Sequence, residues 1–579
     1  MKTRNLSVLS YIGMLLFAIF TFMGCSDDQD TIYDSDSSDS ETTDETISTG
    51  DDEITIAEVG DTHEEDSDYV WDASSVVYIT LSGSSITVDG EGATVDGTEV
   101  TIASAGNYEI TGSLSDGQVI VDTDDDETVR LILNEVDITN TSGAPLNIAS
   151  AEKTIVILKE NTINYLTDTN NYVFDDEEDE PNAALFSDDD LTIYGEGALV
   201  VDANYNDGIT SKDGLVIASG NITVNAVDDG IRGKDYLNIK SGYIVVNAEG
   251  DGLTSDNDED TNTGWILIDD GTFVVTADED GIVAASVVDV EYGDFTIVTG
   301  GGHTSSLGAD DTAKGIKSGG NITIENGIFN IDSADDNIHA NYDVTITTGI
   351  FTLATGDDSI HADDAVEING GTINITEGVE GIEAPDIIIS DGEININTSD
   401  DAINAAGNTN NFMYINGGYI VITSGGDGLD SNGDIEMTGG TVIINGPTSQ
   451  SNSPIDYDGT FGLDGGFLVA SGYGSNMDEA GSSSSDQYSV LVKLSTTQAS
   501  GSLFHIQNSS QETILTFAPG KNYKSIVFSS PDLKTGTYDI YLGGSSTGTA
   551  TDGVYENGTY TPGTLYESFT VSDKVTTVN

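Results

Sequence analysis

The chain has 579 residues, 67 of them glycine, with 102 Asp and Glu against 16 Lys and Arg, a formal charge of −86. That excess argues against nucleic acid and anionic lipid headgroups as partners, because both are polyanions, and favours cations. The glycines keep no G-X-Y register, so a collagen helix is excluded as well.

Lys2 and Arg4 precede an apolar run, LSVLSYIGMLLFAIFTFMG, that ends at Cys25. The run is borderline for a membrane span, and its basic flank fits a signal peptide over residues 1–24. Cys25 is the only cysteine, so an intrachain disulfide is impossible. FMGC resembles a lipoprotein lipobox, although Phe22 and Met23 depart from its preferred residues. The resemblance implies a mature chain that starts at a lipidated Cys25, anchored in the bacterial outer membrane at the cell surface. SDDQD after it resembles the export signal of surface-exposed lipoproteins. Residues 25–68 are Ser, Thr, Asp and Glu with little to bury, which predicts an extended, disordered tether.

From residue 69 the texture changes to short β-branched runs broken by Gly, Asn or Asp, without any helix signal. An acidic insertion, DDEEDE, occupies Asp175 to Glu180. Acidic-Gly-apolar cores then begin at Asp207, Asp229 and Asp251, 22 residues apart, and the period returns at Asp336, Asp358 and Glu380 before Asp401. That period is too short for a strand-helix crossover, and neither leucine-rich nor nonapeptide patterns are present. It fits one coil of a right-handed parallel β-helix, an all-β solenoid over residues 69–480. In NITVNA, Ile222 and Val224 should point into the bore, and equivalent positions should stack about 4.8 Å apart. Insertions lengthen the turn after Asp251 and the region near Asn408, and an extra coil is expected between Asp280 and Lys314. Residues 481–579 have longer alternating strands and read as a small β unit capping the open end.

The period places Asp207, Asp229 and Asp251 at one corner, with Asp228 beside them, and stacks Asp335 and Asp336 with Asp357 and Asp358. A second ladder downstream is expected to hold Asp213, Asp235 and Asp343. Carboxylates stacked about 5 Å apart repel one another and raise each other's pKa. A hard cation removes that penalty, and Ca2+ accepts six to eight oxygens in flexible geometry. Several Ca2+ ions are therefore expected. Zn2+ is not, because thiols are lacking and the five histidines look scattered.

DGITSKD at 207–213 and DDGIRGKD at 228–235 resemble a family of bacterial extracellular carbohydrate-binding domain-containing proteins with a pectate-lyase-like β-helix. SVLVKLS and LTFAPGKNYKSIVFSSPDLKTGTYDIYLGG resemble that family's closing segment. The resemblance spans most of residues 75–545, and it implies calcium-dependent attachment to polysaccharides, including acidic ones such as polygalacturonate. A lyase would add a Lys or Arg base, and after the leader only Arg130 and Arg232 remain. Arg232, Lys212 and Lys234 form a basic cluster that could meet a sugar carboxylate, and Tyr236 and Trp265 could stack on a sugar ring. The expectation is a non-enzymatic, monomeric polysaccharide binder, with a uronate lyase or a protein-binding adhesin as the alternatives.

Overall fold

A computed structural model describes residues 59–174, 180–259, 262–309, 311–407, 411–475 and 477–579. The leader, Cys25, the first part of the tether and most of the DDEEDE insertion lie outside the described residues. Within them, no helix is long and apolar enough to cross a membrane.

The chain winds as a right-handed parallel β-helix with three strands per coil. In one coil these are Asp207–Ser211 on a corner face, Gly214–Ile217 on a middle face and Asn221–Ala226 on a long face. Each pairs in parallel with its equivalent one coil on: Ile209 with Ile231, Leu215 with Leu237, Ile222 with Ile244. Fifteen strands, from Ala93–Asp96 to Leu429–Ser431, build the sheet of the corner face.

Alternation along the strands decides what fills the bore. Ile222 and Val224 are fully buried, as their spacing predicts. The column that contains Ile222 continues through Ile244 to Phe273, Phe295, Phe329 and Phe351. The four phenyl rings stack almost flat, with centroids 4.7, 4.7 and 4.8 Å apart, which is the rise of one coil. A single coil could not bury such a ladder, so stability comes from stacking.

The recurring Asp-Gly has a packing cause. A Cβ on Gly208 would stand 2.1 Å from Val224 Cγ1, and one on Gly230 would stand 2.3 Å from Val246 Cγ1. The corner backbone presses on the long face there, and only glycine permits the approach.

Two expectations change. Ile282 pairs directly with Ile316, so residues 280–314 form one coil with an enlarged turn and no extra coil intervenes. The predicted tether also ends early. Residues 59–75 lie along the middle face, where Lys153 pairs with buried Asp68 at 3.0 Å and Lys240 pairs with Glu64 at 2.7 Å. Scarce cations thus order a stretch that composition alone reads as disordered.

After Phe467–Gly472 the pairing turns antiparallel, with Leu468 facing Ser529. The last parallel edge is therefore covered, and a six-stranded antiparallel sheet with its own core around Phe504, Phe517 and Ile540 follows, after which Val575–Val578 pairs with Ser489–Gln498. An uncovered edge would invite pairing with other chains.

Candidate metal and glycan site

The corner face brings one residue per coil into a single column. Register runs Asp207, Asp229, Asp251, Asp280, Lys314, Asp336, Asp358, Glu380, Asp401 and Asp427. The strand direction changes here, and the corner amides point along the solenoid axis with no strand partner. The carboxylates fill that need. Asp229 Oδ1 accepts the amide of Asp251 at 3.0 Å, Asp251 that of Asp280 at 2.8 Å, and Asp336 that of Asp358 at 2.9 Å. Asp427 does the same for Ser453. One oxygen of such an aspartate thus closes the backbone, and the other is left for chemistry.

What that second oxygen meets divides the column into three zones. At the N-terminal end Asp207 Oδ2 accepts from the Thr210 hydroxyl at 2.9 Å and the Asn182 amide at 3.2 Å, both neutral donors. Burial, then the charge of Asp229, pushes Asp207 up to about 7. Burial, then Asp280 and Asp229, pushes Asp251 up to about 8, and burial followed by Asp228 lifts Asp229 to about 6.

In the centre the column carries its own cations. Lys314 Nζ lies 2.8 Å from Asp335 and 3.4 Å from Asp336, and Lys317 lies 3.2 Å from Asp280. His339 Nδ1 meets Asp336 Oδ2 at 2.8 Å, and His361 Nδ1 meets Asp358 Oδ2 at 3.1 Å. Burial raises Asp336, but the His339 bond and the Lys314 charge outweigh it and hold the carboxyl well below its ordinary value. Burial likewise lowers His361, yet its bonds to Asp358 and Asp363 lift it to about 11.

Towards the C-terminus the counter-charges vanish. Asp427, Asp430 and Asp456 each place an oxygen within 4.8 Å of the others. Burial, then Asp401, raises Asp427 to about 8 and Asp430 to about 7. Among the described residues no Lys, Arg or His pairs with any of the three. This all-oxygen trio fits a hard cation by its donor chemistry. Asp335, Asp336 and Asp357 form another oxygen trio, but Lys314 already occupies its edge.

The structure sorts the expected site residues. Asp207, Asp229, Asp251, Asp336 and Asp358 share the corner column, with Asp228, Asp335 and Asp357 preceding three of them. Asp213 and Asp235 are linked through the backbone at 3.2 Å, and burial, then Asp190, raises Asp213 to about 6. Asp343 does not join them. It lies one column over, paired with Ala365, because Tyr342 takes the place the second ladder required.

The predicted sugar contacts fare differently. Arg232 grips Asp256 with both ends, at 2.7 and 3.0 Å, and Lys212 pairs with Glu180 and Asp188 at 2.8 and 3.1 Å. Lys234 alone of the three makes no ion pair among the described residues. Tyr236 and Trp265 stack on each other at 4.6 Å, but Trp265 is 1% exposed. Residues 59–63 cover them: Val59 packs on the pair, and the His63 amide donates to the Tyr236 hydroxyl at 2.7 Å. They are packed rings, not a sugar platform.

Sequence reasoning passed over Asp280, Lys314, His339, His361 and the Asp427 trio. The two histidines are not scattered: they face each other across adjacent coils, and their spacing of 22 residues was the available signal. Lys314 was hidden by the long turn before it.

A family profile described as carbohydrate-binding domain-containing protein matches residues 96–359 and 357–514. The chain belongs to this family. A curated carbohydrate-binding domain-containing protein of Acetivibrio thermocellus is 46% identical over 129 residues, 22% of this chain. The match spans 45% of that relative, just under half its length. A solved structure titled as a polysaccharide lyase-like protein from C. thermocellum, gadolinium derivative, is 35% identical. It covers 43% of this chain and 96% of its own, with a TM-score of 0.40. The carboxylates without an ion pair among the described residues, Asp207, Asp229 and Asp251 at one end and Asp427, Asp430 and Asp456 at the other, lie within the matched residues.

Proposed function

We propose that the chain binds an extracellular polysaccharide through calcium held at the acidic corner, and does so without cleaving it. The observation that supports this most is the Asp427, Asp430 and Asp456 trio, which is all-oxygen, buried at Asp427 and half-buried at the other two, and without an ion-paired cation among the described residues. Asp207, Asp229 and Asp251, with Asp228 beside them, offer a second set of ligands. Asp335, Asp336, Asp357 and Asp358 contribute less, since Lys314 and the histidines already compensate them. When bound, calcium would supply a positive centre shared by protein carboxylates and the uronate carboxylates of a glycan, so that a polyanion can hold a polyanion. Lipidation at Cys25 would display the domain on the outer surface of the cell, acting as a monomer.

Titration calorimetry tests the reading. Chelator-treated protein should bind Ca2+ and only then polygalacturonate, and Asp427→Asn should weaken both steps. Binding of the glycan at full strength in chelator, or none in Ca2+, would overturn it.

A second reading, β-elimination of uronates, is favoured by one observation: Lys314, Lys317, His339 and His361 place groups able to neutralise a uronate carboxylate or exchange a proton among the central carboxylates. Unsaturated uronates absorbing in the ultraviolet would appear on incubation with polygalacturonate if it holds, and none would appear if the chain only binds.

A further inference from the structure

The centre of the corner differs from its ends in the kind of donor it presents. His339 and His361 occupy the same strand position on adjacent coils, three residues after Asp336 and Asp358. Their rings are parallel within 9° and 4.8 Å apart. Each Nδ1 rests on a corner carboxylate, at 2.8 Å for His339 and 3.1 Å for His361, so neither ring is free to turn. Asp336 Oδ1 is committed to the Asp358 amide at 2.9 Å, which leaves Oδ2 to the His339 imidazole at 2.8 Å, with Lys314 Nζ at 3.4 Å on its other side.

We propose that His339, His361 and Asp336 form a second kind of metal site, selective for a borderline divalent ion of the zinc, cobalt or nickel class over calcium. One ligand atom from each of the three lies within 4.8 Å of the others. Tetrahedral Zn–N and Zn–O bonds of about 2.0–2.2 Å place two ligand atoms about 3.4 Å apart, so the three side chains would close in on the ion by roughly an ångström. Imidazole nitrogen favours such ions, whereas carboxylates alone favour calcium or magnesium. Glu383 follows His361 in register, and Asp358, His361 and Glu383 form an overlapping trio that offers a further carboxylate. For His361 the bond to Asp358 is of the kind that usually orients a ligating histidine, whereas the ion would replace the bond between His339 and Asp336, since Asp336 is itself a ligand.

The competing role for these imidazoles is that of protonated counter-ions, the part Lys314 plays one coil away. A lysine can serve that role, but it cannot serve a metal at neutral pH. The two are therefore separated by charge-preserving substitution. The full chain, stripped of metal by chelator, is titrated with Co2+ and followed by its visible absorption. The expected result is one equivalent of a coloured complex that Zn2+ displaces and a large excess of Ca2+ does not. His339→Lys and His361→Lys should each weaken Co2+ binding at least about tenfold while the melting transition is kept. His361→Gln repeats the test with a neutral side chain should a lysine variant not fold. Failure to form a coloured complex, displacement by Ca2+ as readily as by Zn2+, or unchanged Co2+ affinity in the variants would overturn the proposal. A failed glycan titration would leave it untouched, since no sugar takes part.

Discussion

The central coils and the C-terminal coils solve the same backbone problem with different charge. In both, the amide of the next coil donates to Oδ1 of a corner aspartate, as that of Asp358 does to Asp336 and that of Ser453 does to Asp427. In the centre the other oxygen meets Lys314 or an imidazole. Near the C-terminus it faces further carboxylates, with no ion-paired cation among the described residues. The architecture of the corner is thus independent of its charge balance, and the demand for an external cation should be regional.

The largest effect should come from removing the one lysine in the column. Lys314→Met leaves Asp335 without its cation and Asp336 with His339 alone, and loss of one partner from a buried pair costs about 3–5 kcal/mol. Denaturant unfolding in chelator measures it. Asp427→Asn should do the reverse. The amide oxygen can still accept from Ser453 while the crowded charge disappears, so at pH 8 metal-free protein should gain on the order of 1–3 kcal/mol and respond less to Ca2+. Asp336→Asn should instead destabilise, because Lys314 and His339 lose their anion.

Acidity gives a finer contrast. Asp207, Asp251 and Asp427 have folded values raised to about 7, 8 and 8. Their contribution to metal-free stability is complete below the unfolded value of about 4 and is lost as pH rises through about 7–8. Asp336 is depressed, so its contribution is present above about pH 4 and is lost only on stronger acidification. His361, raised to about 11, holds its contribution up to about pH 6.5 and loses it only as pH climbs towards about 11. Chelated protein should therefore melt higher at pH 5 than at pH 8, through the end zones, and saturating Ca2+ should flatten the profile. The smallest effect is Arg232→Ala, which breaks a half-exposed pair with Asp256. Such pairs are worth under about 1 kcal/mol, and a thermal melt would show it.

The solenoid was legible because its cause is periodic. Recurrence of Asp-Gly every 22 residues reflects two requirements met at once, an amide acceptor at the corner and no Cβ beside Val224 or Val246. Alternation placed Ile222 and Val224 inward for the same reason. What escaped was whatever the period did not carry. The long turn before Lys314 concealed a cation inside the acidic column. Nothing in the composition of residues 59–68 announces that Asp68, Glu64 and His63 will find Lys153, Lys240 and Tyr236 more than eighty residues away. That one segment turned Tyr236 and Trp265 from apparent sugar contacts into packed rings.

Scanning calorimetry at pH 8 of one preparation, with chelator and with saturating Ca2+, bears most directly on the claim that register forces carboxylates into a spacing a divalent ion must relieve. A clearly higher melting temperature in Ca2+, with most of the gain lost in Asp427→Asn, is the predicted result. Identical transitions in chelator and in Ca2+ would contradict it.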